Sequence, residues 1–392
     1  TGVQTCALPI LRLAERASRL YAPVVHATAL LTMLGWLAYG ASFHDSIVTA
    51  IAVLIITCPC ALGLAIPTVQ TVASGALFGS GVLLNAGDAI ERIAEIDRVI
   101  FDKTGTLTLP ELDVANLAEI PEDVVRLAGR LALSSRHPVA AAVARHAGAA
   151  APLPDIQEEP GQGVHGLHDG RPIRLGRPSF CGAGELANEI LCNDPEASVV
   201  AFSYGESRYA FAVRQRLRPD AAEVVAGLVR MGIAVEIVSG DREPAVQLAA
   251  KMLGVHEWRA GVSPVDKISR IEQLVGQGCR VLMVGDGLND APALAAAHAS
   301  MSPVTATHMS QAVADAVFLG DRLAPVLAAV KVSRRALRLM RQNLSLAVVY
   351  NVLAVPIAIA GLVTPLIAAA AMSGSSVIVM LNALRARARE VV

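Results

Sequence analysis

Apolar residues crowd into four stretches of this chain, at 21–39, 47–68, 344–363 and 365–384. A helix needs about 20 apolar residues to cross the hydrocarbon of a bilayer, so each stretch predicts a membrane span. The turn after the first reads G-A-S-F-H-D-S and the turn after the third only G-L-V-T-P, which sets the spans in pairs. From about 79 to 342 the pattern changes. Short β-rich runs end in polar loops: R-V-I-F-D (98–102), A-V-E-I-V-S-G-D (234–241), R-V-L-M-V-G-D-G (280–287) and D-A-V-F-L (315–319). Helix-period segments at 221–231 and 265–276 separate them. That alternation predicts a parallel, doubly wound α/β sheet, with ligands at the carboxyl ends of its strands. Between 111 and 212 the rhythm is lost and Gly and Pro increase, as in A-P-L-P-D and P-G-Q-G, which predicts an inserted α+β domain. The expected division is membrane helices over 11–96, the α/β domain over 97–110 and 213–325, the insertion over 111–212 and a C-terminal helix pair over 326–392. No internal repeat is evident.

Composition strengthens the membrane reading. The 392 residues are 54% hydrophobic and 17% charged, against roughly 25% charged in soluble domains. A net charge of −1 and the lack of any long charged run give no reason to expect a nucleic-acid partner. Lys and Arg flank the spans: Arg12, Arg16 and Arg19 before the first, Lys331, Arg334, Arg335, Arg338 and Arg341 before the third, Arg385, Arg387 and Arg389 after the fourth. The two short turns carry none, so the positive-inside rule puts both ends and the α/β block in the cytoplasm. The first ten residues, T-G-V-Q-T-C-A-L-P-I, resemble a translated sequencing adapter and are set aside from the fold. Cys6, Cys181, Cys192 and Cys279 are scattered and read as reduced structural thiols.

Cys58 and Cys60 are different, because they flank Pro59 inside the second apolar stretch. Two residues apart on an unbroken helix they would face nearly opposite ways. Pro59 breaks the helical ladder, and Pro67 disturbs it again. Such breaks are tolerated at membrane depth where the backbone lines an enclosed site. Soft thiolates on one side of such a break select soft ions, Cu(I) above all and Zn²⁺ next. The plain alternative is two small residues at a kink.

In the soluble block, F-D-K-T-G-T-L-T (101–108) follows a strand directly. A carboxylate at Asp102 can attack a phosphoryl group if a cation offsets the repulsion between the anions. Ser239 and Asp241 in S-G-D, Lys267 after S-P-V-D, and Asp286 and Asp290 in G-D-G-L-N-D complete a catalytic set. Ser239 can bond a phosphoryl oxygen, Lys267 can pair with its charge, and the carboxylates suit Mg²⁺. Any one of these alone is as readily a cap or a tight turn; four in order at successive strand ends are not.

These motifs resemble the heavy-metal P-type ATPases, whose phosphorylation domain belongs to the haloacid-dehalogenase superfamily. The likeness covers the chain after its first ten residues. It implies that Asp102 becomes an aspartyl-phosphate and that Asp102, the Thr104 carbonyl and Asp286 hold Mg²⁺. It implies that the insertion binds ATP, with His137 and Pro138 of S-S-R-H-P-V-A at the adenine and Gly161, Gly163 and Gly166 of P-G-Q-G-V-H-G near the nucleotide. Arg136 stands where that family has Glu, which bears on nucleotide affinity. Superfamily phosphatases carry a second Asp at the position of Thr104, so a lasting phosphoenzyme is expected here. Tyr350 and Asn351 in the third stretch and Met372 and Ser376 in the fourth resemble the Cu(I)/Ag(I) subgroup, and with Cys58 and Cys60 they would line the ion path. Neither stretch holds the Asp or Lys expected of a Zn²⁺ or Cd²⁺ pump. Within that subgroup the wording is nearest to the FixI/CcoI type, which serves assembly of a respiratory oxidase.

The expectation is therefore ATP-driven export of Cu(I), with Ag(I) as a further cargo, from a multi-pass protein of the cell inner membrane that meets a cytosolic copper donor. The family's Thr-Gly-Glu actuator loop, four further upstream helices and Cys-x-x-Cys domains have no counterpart here, so a fragment unable to complete the cycle is expected. A Zn²⁺/Cd²⁺ pump, a membrane-tethered phosphatase and a fragment that only binds metal are the alternatives.

Overall fold

The computed structural model describes residues 9–58, 60–148, 151–194, 197–286, 290–306 and 308–387. Pro59 and residues 287–289 lie outside the described residues.

The chain opens with four helices, α1 (Pro9–Ala38), α2 (Phe43–Ile56), α3 (Cys60–Leu64) and α4 (Pro67–Gly79). Ser42 caps α2, its Oγ accepting from the Asp45 N–H at 3.1 Å. The second apolar stretch is thus not one helix. It breaks between α2 and α3 and again at residues 65–66, with Pro67 at the first position of α4, where its missing N–H does no harm.

The soluble block follows as β1 (Val82–Leu84), α5 (Ala89–Ala94), β2 (Arg98–Phe101) and β3 (Thr108–Val114). The insertion adds α6 (Glu122–Ala132), α7 (Pro138–Ala144), β4 (Gln157–Glu159), β5 (Gly163–His168), β6 (Arg171–Gly176), α8 (Pro178–Cys181), α9 (Gly184–Asn193), β7 (Ser198–Tyr204) and β8 (Ser207–Leu217). The block resumes with α10 (Ala221–Arg230), β9 (Ala234–Val238), α11 (Glu243–Leu253), β10 (Glu257–Arg259), α12 (Pro264–Gly276) and β11 (Val281–Val284). It ends with α13 (Ala291–Ala296), β12 (Ala299–Pro303), α14 (His308–Val313) and β13 (Ala316–Phe318). Two long helices close the chain, α15 (Ala324–Ile359) and α16 (Pro365–Ala383).

One sheet has the order β1-β13-β12-β11-β2-β9-β10, parallel throughout except for β1, which runs antiparallel to β13. The other is antiparallel, β3-β8-β7-β6-β5-β4. Its strands reach from Thr108 to Leu217, so boundaries drawn at 111 and 212 cut through β3 and β8. In the same way β1 and α5, within the stretch assigned to membrane helices, belong to the parallel sheet and its core. These short elements carry too little alternation to be told from a helix end by pattern alone.

Three described helical segments are long and apolar enough to cross a membrane: Phe43–Gly79, Ala324–Ile359 and Pro365–Ala386. The described apolar part of α1, Pro23–Ala38, is shorter. The membrane helices are not a separate body. Val69, Ala73 and Leu77 of α4 and Val326 to Met340 of α15 share one buried cluster with Phe101 of β2 and Leu282 and Val284 of β11. The first half of α15 is therefore a stalk packed on the sheet. Its N-terminal amides, at Leu323 and Ala324, donate to the Asp220 carboxylate at 2.9 and 2.7 Å.

Candidate functional site

The site grows from three adjacent strands. Asp102 follows β2, Ser239 follows β9 and Asp286 follows β11, so three loops leave the same edge of the sheet at the point where strand order reverses. The Asp102 N–H donates to the Val284 carbonyl at 2.9 Å, which extends the ladder by one residue and fixes the carboxylate. Ser263 caps α12 in a reciprocal capping box with Asp266, with Pro264 at the first turn. That start aims Lys267 inward. Its Nζ donates to Asp102 Oδ1 at 2.6 Å and to Asp290 Oδ1 at 2.7 Å.

Oxygens of Asp102, Asp286 and Asp290 lie within 4.8 Å of one another. Burial pushes the Asp102 carboxyl up to about 7, against the pull of Lys267 and with the push of Asp290. Burial, then the charge of Asp290, raises Asp286 to about 6. For Lys267, burial works against the charge, but Asp102 and Asp290 together outweigh it and hold the ammonium above its ordinary range. Three carboxylates facing one ammonium leave hard oxygen donors formally two positive charges short, which fits Mg²⁺.

Gly105 makes this approach possible. Its φ is +68°, and a Cβ there would sit 1.7 Å from Asp286 Oδ2. The glycine of D-K-T-G is thus required twice, by backbone conformation and by the carboxylate beside it.

The remaining predicted residues fall in different places. Ser239 is buried, its N–H donating to the Arg259 carbonyl and its Oγ accepting from the Asp241 N–H at 3.2 Å. Asp241 faces the loop after β2, pairing with Lys103 Nζ at 2.5 Å and accepting from Thr104 Oγ1 at 3.3 Å. Lys103, Thr104 and Asp241 line a cleft of about 790 Å³ between the two sheets, whose lining also includes Arg214, Arg216 and Arg218. His137, Pro138, Gly161, Gly163 and Gly166 do not line it. His137 is exposed and caps α7, its Nδ1 accepting from the Val139 N–H at 3.3 Å. Ser135 Oγ donates to Glu158 Oε1 at 3.2 Å, which ties that loop to β4. Gly163 packs against a neighbouring strand, since a Cβ would meet the Leu175 carbonyl at 2.1 Å.

Two residues not picked out from the sequence hold the site in place. Arg218 is 2% exposed. Its Nε donates to the Thr106 carbonyl at 2.7 Å, its Nη2 to Gly105 at 3.1 Å and its Nη1 to Gly320 at 2.9 Å, and it lies over the Phe318 ring. Burial lowers its affinity for the proton. Asp220, two residues on, anchors α15 as described. The string R-L-R-P-D (216–220) carried the signal: a basic strand end stopped by Pro and Asp.

In the membrane part, Cys58 and Cys60 are brought to one side and joined as a disulfide, with Cα atoms 5.5 Å apart. The sequence reading expected thiolates, which the pair offers only when reduced. Helix α3 packs on both α15 and α16. Tyr350 packs in a cluster with Ile55 and Ile56, just before the break. Asn351 Nδ2 donates to the Ala347 carbonyl at 2.9 Å within its own helix. Met372 and Ser376 lie a turn apart on α16, both half-buried.

Comparison with known proteins agrees with this geometry. Residues 96–298 match the haloacid dehalogenase-like hydrolase family. The chain is 69% identical over 384 residues to the nitrogen fixation protein FixI of Bradyrhizobium diazoefficiens, covering 97% of this chain and 53% of that protein. It is 37% identical over 386 residues to a copper-exporting P-type ATPase of Mycobacterium tuberculosis, covering 96% and 51%. The chain belongs to the haloacid dehalogenase-like hydrolases, in their P-type ATPase branch. A crystal structure of a zinc-transporting PIB-type ATPase in the E2.Pi state superposes on this P-type ATPase chain with TM-score 0.76 at 29% identity, over 95% of this chain and 63% of that one. The chain spans about half the length of the curated relatives it matches.

Proposed function

We propose that the chain carries the phosphorylation and ion-path half of a pump that moves Cu(I) out of the cytosol at the expense of ATP. The observation that carries the chemistry is Lys267 held between Asp102 and Asp290, with Asp286 alongside, at the carboxyl ends of neighbouring strands. An Asp102 oxygen attacks the γ-phosphorus, the bond from that phosphorus to the bridging oxygen breaks, and ADP leaves with the electron pair. Lys267 draws the attacking carboxylate toward its ionised form, against the burial that raises it, and orients it. Mg²⁺, held by Asp102, Asp286 and the Thr104 carbonyl, would neutralise charge on the transferred group. Ser239 and Asp241 stand beside the path of that group. Thr104 leaves the loop without the second carboxyl that a phosphatase uses, which favours a lasting phosphoenzyme. The phosphates of the nucleotide enter the cleft between the sheets, and its adenine end reaches beyond that cleft toward His137, Pro138 and the Gly161 to Gly166 turn.

For the cargo, the reduced Cys58–Cys60 pair supplies soft donors, and Tyr350, Asn351, Met372 and Ser376 add neutral ones. Residues 344–384 contain no Asp, Glu, Lys or Arg. A monovalent ion needs least charge compensation there. The zinc-transporting neighbour keeps Zn²⁺ as the second reading. The setting is the inner membrane with the sheets in the cytoplasm, where a copper donor loads the ion.

The test is acid-stable labelling from γ-labelled ATP in reducing buffer, with Cu(I), Zn²⁺ or neither. Labelling that Cu(I) stimulates and D102N abolishes is expected. Stimulation by Zn²⁺ alone selects the second reading, and equal labelling in D102N rejects the site.

A further inference from the structure

Asn343 lies on α15 one residue before the third apolar stretch and has no exposed surface. Its amide is fully engaged. Nδ2 donates to the carbonyls of Ala65 at 3.2 Å and Val379 at 3.3 Å, and Oδ1 accepts from Asn382 Nδ2 at 2.8 Å. Asn382 Oδ1 in turn accepts from Arg385 Nη1 at 2.8 Å. Ala65 closes α3, the five-residue helix that begins at Cys60. Carbonyls at a helix C-terminus have no helical N–H to accept from, and here a side chain from another helix supplies the donor.

Among the described residues, the other side-chain hydrogen bond to α3 comes from the adjoining α4, where Thr68 Oγ1 donates to the Leu64 carbonyl at 2.6 Å, so Asn343 supplies the tie to a helix distant in sequence. Helix α3 is broken from α2 at one end and from α4 at the other. Its buried packing is mostly through small side chains, Ala61 and Ala65 against Ala347 and Val379, with Leu62 at the edge. Small residues let helices approach closely, while interhelical hydrogen bonds set their register.

We propose that Asn343 is a positioning residue for the ion site: its string of hydrogen bonds to Ala65, Val379, Asn382 and Arg385 fixes α3, and with it the Cys60 sulfur, against α15 and α16. This rests on reading Cys58 and Cys60 as ion ligands. Groups that orient metal ligands are worth about ten- to a hundredfold in affinity.

The experiment uses the protein expressed from its own gene, with N343L and the double variant N343L/N382L. The double variant removes both side-chain amides, so neither is left facing an absent partner, while the Ala65 carbonyl loses its donor in both variants. Two readouts are taken: the Cu(I) concentration giving half-maximal phosphorylation, and backbone hydrogen exchange over 60–66 in metal-free protein. The proposal expects the half-maximal concentration to rise about tenfold or more in both variants, with the maximal labelling kept. It also expects exchange over 60–66 to rise about tenfold or more. A fall in maximal labelling at unchanged half-maximal concentration would mean lost folded protein only, and would overturn it. So would recovery of wild-type behaviour in the double variant. If wild-type phosphorylation ignores Cu(I), the pump reading fails, and unchanged exchange over 60–66 then overturns the present inference separately.

Discussion

The carboxylate site and the sulfur site are built in opposite ways. Asp102 and Asp290 are 4% and 2% exposed, held by Lys267 and by the ends of a parallel sheet. Backbone, cap and ion pair all point to one geometry. Cys58 and Cys60 instead sit at a break between α2 and the five-residue α3, whose buried neighbours are an alanine and a valine. The first arrangement suits chemistry that needs fixed atoms; the second suits the proposed ion site, which would have to open on alternate sides. What joins them is α4. It leaves the second break and buries Val69, Ala73 and Leu77 in the cluster that holds Phe101, the residue before Asp102. A change at Asp102 therefore has a packed route to the broken helix.

If the carboxylate site is the over-determined one, small changes there have the larger effects. Gly105→Ala is expected to be the most severe. It places a Cβ 1.7 Å from Asp286 Oδ2 at a φ of +68°, destabilising by about 3 kcal/mol or more. Phosphorylation from ATP should fall to background, read by acid-stable labelling, and near-normal labelling would show that the cradle is loose. Next is Arg218→Met, which strips donors from the Gly105, Thr106 and Gly320 carbonyls. A loss of about 2–4 kcal/mol is expected in thermal unfolding, with the labelling rate falling further than the folded fraction.

The third prediction concerns pH. Asp102 and Asp286 sit at about 7 and about 6, above their ordinary 3.8. A folded-state value above the unfolded one favours folding only in the protonated form. That contribution is complete below the unfolded value and is lost as pH rises through 6–7. Without Mg²⁺ the protein should lose about 2–4 kcal/mol of stability between pH 5 and pH 8. Adding Mg²⁺ should restore it, and D102N should flatten the profile. A Mg²⁺-free melting temperature that climbs over this range would contradict the assignment. The smallest effect is at Asp220→Ala, which removes the acceptor of the Leu323 and Ala324 amides. About 1–2 kcal/mol is expected, with ion-stimulated turnover reduced more than basal labelling, because α15 loses its hold on the sheet.

Much of this was legible in the sequence. Strand-end motifs placed Asp102, Ser239 and Asp286 together because a parallel sheet leaves few other solutions. Pro59 between cysteines announced the break. Other features were not legible. β1 and α5 are too short for a periodic signal, and the reach of α4 into the soluble core lies beyond the apolar run that predicted it. Arg218 and Asn343 were missed because their roles are made by partners more than a hundred residues away, at Gly105 and Thr106 and at Ala65. A lone Arg or Asn in such a string reads as surface or filler.

The most direct measurement is phosphoenzyme formation at Asp102 in C58S/C60S, from ATP and from inorganic phosphate, with and without Cu(I). Labelling from phosphate that persists, with Cu(I) stimulation from ATP abolished, is the predicted result. Cu(I) stimulation that survives without either sulfur would contradict the link between the two sites.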